Sequence, residues 1–84
     1  MRITNFVVQS FEIGKRGVLI ADPAVEVQSQ EQATRMSQRL MERKRKVGVV
    51  AFSREGDPAL GEFEEAQIIF ASGQVPAEVE DMAA

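Results

Sequence analysis

The 84 residues suffice for one domain, and 44% hydrophobic with 27% charged side chains is an ordinary globular composition. The chain contains no Cys, His, Trp or Tyr. That excludes disulfides, thiolate metal centres and cysteine nucleophiles, and it removes the commonest general base and metal ligand. Net charge is −3, but residues 1–54 carry ten basic and five acidic side chains (+5), while residues 55–84 carry eight acidic ones and no basic one (−8). Halves of opposite sign imply an interaction surface, or two parts that face each other within one molecule or across a dimer.

Residues 2–13 are rich in β-branched and aromatic side chains and read as the first strand. Gly14-Lys15-Arg16-Gly17 reads as a hairpin turn rather than a phosphate loop, since it lacks GxxxxGK[ST] and opens no helix. Residues 18–21 resume as the second strand, which Asp22-Pro23 ends because Pro has no N–H for the ladder.

Residues 29–46 read as the single long helix around which the rest is organised. Ala33, Met36, Leu40 and Val47 recur at helical steps and fall within an arc of about 60°. Ser29 suits the N-cap, Gln32 completes a capping box, Glu31 and the basic run 43–46 complement the helix dipole, and Gly48 offers a stop or marks close approach by a neighbouring backbone.

Residues 47–53 form an unbroken apolar run, the pattern of a third strand covered on both faces. Residues 54–62 read as a loop around Gly56-Asp57-Pro58, and residues 63–72 as the fourth strand. Residues 1–76 are then one domain, with residues 77–84 as a short, acidic, frayed tail.

The fold class implied is α+β. The pattern is ββαββ, a four-stranded, mainly antiparallel sheet with one helix on one face and the strand order 2-1-3-4 favoured over 1-2-3-4. One helix covers one face only. Val7, Phe11, Val50, Phe52 and Ile69 stand opposite Phe6, Val8, Val49, Ile68 and Phe70, so either set, left bare, makes an apolar patch that monomers rarely expose. A homodimer through a sheet face built from Val7, Phe11, Val50, Phe52 and Ile69, or along strand edges, is the expectation.

The other candidate surface is a basic ridge. Arg35, Arg39 and Arg43 follow at i, i+4, and Lys46 continues the row. Like charges at that spacing repel by about 0.2–0.5 kcal/mol per pair, so the ridge does not serve the helix itself and is the candidate anion- or partner-binding site. Asp57, Glu55 and Glu62 lack the D-x-D-x-D-G pattern of a calcium loop, and the stretch reads as a turn. Glu62, Glu64 and Glu65 have no nucleophile or His beside them. They read as a solvated strand start or as a docking partner for the ridge. No catalytic, cofactor or metal residue is assigned.

The phrases FVVQSFEIGKRGVLIAD, GVVAFSREGDPALGEFEEA and GQVP are similar, over nearly the whole chain, to small bacterial proteins of a ββαββ type with no known activity. That resemblance implies no functional residue. FVVQ ahead of a helix also resembles the opening of peptidoglycan-binding SPOR domains, whose plan has a second helix that this chain lacks. No apolar run approaches the ~20 residues of a membrane helix, and no signal peptide opens the chain, so the expected location is the cytoplasm. The expected function is self-association and binding of a protein partner without catalysis. Nucleic acid or another phosphate anion on the ridge is the alternative, ranked second because the pI is near 4.9 and aromatic side chains are few.

Overall fold

The computed structural model describes residues 1–79. Strand β1 (Ile3–Ile13) is the spine, and a tight turn at Lys15–Gly17 leads into β2 (Leu19–Ala21). There follow β3 (Val25–Val27), helix α1 (Gln30–Met41), β4 (Gly48–Asp57), β5 (Glu62–Phe63) and β6 (Gln67–Gly73). The fold is α+β, with one main helix on an antiparallel sheet in the order β2-β1-β4-β5, where β3 also pairs with β1 and β6 with β4. None of the helices described is long and apolar enough to cross a membrane.

Six strands replace the four expected, because both edges of the sheet are interrupted. On the β1 edge, Pro23 offers no N–H, and the Asp22 carboxylate turns away to hold Lys46 (2.8 Å). Pairing therefore stops at Phe11–Ala21 and resumes at Val8–Val25. On the β4 edge, the ladder lapses after Glu64, whose N–H donates to the Glu55 carbonyl (2.8 Å), and restarts at Gln67 opposite Ser53. The expected loop over residues 54–62 is also corrected. Residues 54–57 belong to β4, since Ile3, Thr4 and Asn5 extend β1 far enough to pair with Gly56, Glu55 and Arg54.

The helix is shorter than its pattern suggests. Ser29 caps it as expected, accepting from the Gln32 N–H at 3.1 Å, and the Gln32 side chain accepts in return from Gln28 N (2.9 Å). It ends at Met41 rather than at Lys46. Two better partners lie in the sheet: Val47 N donates to Phe11 O (2.8 Å), and Lys46 reaches carboxylates on the β1 edge. Val47 is therefore the entry to β4 and not part of the helix stripe.

Small residues let α1 sit close to the sheet. Ala33 and Ser37 are fully buried, and Ser37 Oγ returns its proton to Ala33 O (2.7 Å). They lie over a core of Val8, Val49 and Ala51, flanked by Val27, Met36, Leu40, Met41, Ile69 and Phe70.

The second face is covered in part from within the chain. Gly48 shares that face with Val50 and Phe52 by strand alternation, and a Cβ there would stand 1.7 Å from the carbonyl oxygen of Gln74. Gly73, with φ +72°, turns the chain at this crossing. Residues 74–79 then run on as a strap, and Val79 borders the same face as Gln9, Val50, Phe52, Ala66 and Ile68 around an open hollow of about 200 Å³. Of the tail expected over residues 77–84, residues 77–79 form a helical turn. Residues 80–84 lie outside the described residues.

Candidate functional site

The ridge expected on α1 resolves into three exposed arginines and one inward lysine. Arg35 and Arg39 stand one turn apart on α1, about 6 Å of helix rise, and Arg43 follows four residues on, just past the helix end. Arg35 pairs with Glu31 one turn before it, with both side chains largely exposed. Arg39 and Arg43 meet no carboxylate among the described residues. Beside the arginines lie two shallow grooves that share Met36 and Arg39. One, of about 250 Å³, is lined by Val27, Gln32, Arg35, Met36 and Arg39. The other, of about 220 Å³, is lined by Met36, Arg39, Leu40 and Arg43. The surface is a row of guanidinium groups above an aliphatic and thioether floor.

Lys46 is corrected out of this site. Its ammonium donates to Glu12 (2.7 Å) and Asp22 (2.8 Å), its side chain is only 15% exposed, and Ser10 Oγ donates to the same Asp22 oxygen at 2.8 Å. The bond from Lys46, followed by that from Ser10, holds the Asp22 carboxyl below its ordinary pKa. The carboxylates of Asp22 and then Glu12 raise that of Lys46. This cluster ties the chain after α1 to the β1 edge. Its partners are 24 and 34 residues from Lys46, a distance at which residue spacing carries no signal.

The apolar dimer face expected from Val7, Phe11, Val50, Phe52 and Ile69 is also redrawn. Val7 pairs with Phe52, and Phe52 with Ile68, so these three share the face away from the helix. Phe11 and Val50 are already 3% and 2% exposed within one chain. A bulge between Ala51 and Phe52 shifts the register of β6, which turns Ile69 towards the helix-side core. The face is therefore covered in part: Val7, Phe52 and Ile68 are half-buried, and an apolar hollow stays open beside Val50, Phe52 and Ile68.

Most of the exposed apolar side chains lie at the two ends of the molecule, whose described part spans 43 × 23 × 23 Å, with Val25 on the edge strand β3 between them. Ile13, Val18 and Ile20 mark the β1–β2 hairpin, and Leu60 and Phe63 the β4–β5 hairpin. The second of these is acidic, with Glu62, Glu64 and Glu65 all exposed. Arg2 pairs with Glu64 (3.2 Å) and Glu55 (3.7 Å), and the Arg54 guanidinium stands 5.4 Å over the Phe63 ring. Asp57, read as a turn residue, accepts from Ala59 N–H (3.0 Å) in a local turn. Among the described residues no cluster of three acidic side chains is placed to hold a metal ion.

Compared with family models, curated proteins and solved structures, the chain matches none. Its function is argued from its own surface.

Proposed function

We propose that this chain is a cytoplasmic, non-catalytic protein-interaction domain that associates with itself. The observation that supports it is the pair of grooves under Arg35, Arg39 and Arg43. Arg35 and Arg39 are like charges on one helix flank, which destabilise that helix slightly, and Arg43 follows just past its end. Arg39 and Arg43 have no carboxylate among the described residues, and the floor beneath is apolar and open. That combination suits a partner offering carboxylates beside an apolar side chain, the usual mix of a protein interface. Sedimentation velocity from low to high micromolar concentration tests the reading. Association that grows with concentration is the expected result, and a single monomer boundary throughout would remove it.

A second reading keeps the same arginines for phosphate. Arg39 and Arg43 have no carboxylate partner among the described residues and are placed to contact an anion. Retention of labelled single-stranded DNA should then fall steeply with salt and vanish in Arg39→Glu/Arg43→Glu. Equal retention by the variant and the wild type would eliminate this alternative.

A further inference from the structure

We propose that the domain associates head to tail, the acidic β4–β5 hairpin of one copy entering the arginine groove of the next. This names the partner of the surface proposed above and rests on that reading.

The two surfaces are complementary in kind. The groove sets Arg35, Arg39 and Arg43 beside Met36, Leu40 and Val27. The hairpin sets Glu62, Glu64 and Glu65 beside Leu60, 68% exposed, and Phe63, 45% exposed. Its own cations do not saturate it. Arg2 engages Glu64 and Glu55, and Arg54 gives its Nε–H to the Glu64 carbonyl (3.0 Å). Glu62 and Glu65 then remain without a cation among the described residues.

One copy does not satisfy itself. The groove opens beside Val27 on the β1 edge, level with Phe6. The hairpin is at the opposite edge, on β4, level with Ile3. No ion pair joins the groove arginines to Glu62, Glu64 or Glu65 within the described chain. Arg2 already joins the two halves within one copy, so it is the groove arginines and the carboxylates of Glu62 and Glu65 that are left to meet across copies. A polyanion fits less well, because the groove floor has no ring on which a base stacks and the net charge of −3 opposes it.

A groove that meets a different surface is a heterologous contact, which propagates into a ring or an open chain rather than stopping at a two-fold dimer. Its ion pairs are exposed, so it weakens with salt.

The test uses two double variants, Arg39→Glu/Arg43→Glu and Glu62→Lys/Glu65→Lys, in the full chain. All four residues are exposed, and circular dichroism verifies folding. The glutamine forms of both double variants replace any charge reversal that does not fold. At low salt the wild type is expected to sediment as species beyond the dimer. Each charge-reversed variant alone should bind itself at least about tenfold more weakly, and an equimolar mixture of the two should associate again, because reversed charges complement each other. With the glutamine forms, loss of association in each alone is the expected result. A variant that associates like the wild type, or a charge-reversed mixture that stays monomeric, overturns head-to-tail pairing. Wild-type association untouched by either variant overturns the pairing and leaves self-association standing. A wild type that stays monomeric removes both.

Discussion

The two faces of the sheet are buried by unlike means. Over Val8, Val49 and Ala51 lies an amphipathic helix that approaches closely through Ala33 and Ser37. Towards Val50 and Phe11, which are just as inaccessible at 2% and 3% exposure, the described chain sends the strap of residues 74–79 across Gly48. A narrow cover suffices on the second side because Gly48 lets backbone lie directly on the sheet, where a side chain would hold it off. A sheet apolar on both sides therefore does not by itself require a second copy.

The largest expected effect falls on the strap. Gly48→Ala puts a methyl group where the Gln74 backbone passes, and should lower unfolding free energy by about 3 kcal/mol, measured by chemical denaturation. A loss below about 0.5 kcal/mol would mean the strap does not press on the sheet.

Next comes the helix side. Val49→Ala removes two methyl groups from a fully buried site and should be worth about 2 kcal/mol in the same assay.

The helix side also holds a charge cluster that the second side lacks. The Asp22 carboxyl titrates below its ordinary value in the folded chain. It therefore contributes stability above its unfolded pKa of about 3.9, and that contribution is lost as pH falls through the folded value. Asp22→Asn should lower Tm by a few degrees at neutral pH, and the gap to the wild type should close as the solution is acidified below that range. A gap independent of pH would show that the carboxylate charge is immaterial. Lys46, whose pKa is raised, contributes at neutral pH and loses its part only as pH rises through its folded value.

The smallest effect belongs to the rim of the strap. Val79 is half-buried beside Val50 and Phe52. Val79→Ala should cost less than about 1 kcal/mol while raising the fluorescence of an apolar dye. An unchanged dye signal would place the cover of this face elsewhere in the strap.

Much of the helix side was legible in the sequence. The stripe through Ala33, Met36 and Leu40, the Ser29 cap and the β1–β2 hairpin follow from periodicity and turn residues, which act locally, and the antiparallel β1–β4 pair from the strand order that a helix crossing over β1 favours. The features that reshape the site do not. Lys46 leaves the ridge for carboxylates on distant strands and a bulge moves Ile69 to the other face, while Gly48, which reads as a helix stop or as a close approach of backbone, does admit backbone, though nothing local says that it is Gln74's. Each depends on which strands become neighbours. The arginine row was visible as a pattern. Its floor of Val27, Met36 and Leu40 became a groove only when β3 was placed beside α1.

The central claim is that copies meet through charge and not through a bare sheet face. Sedimentation of the wild type at low and at high salt tests it most directly. Pairing of arginine groove with acidic hairpin demands association at low salt that dissolves as salt is raised. Association that persists or strengthens at high salt would belong to an apolar sheet-face dimer and would contradict it.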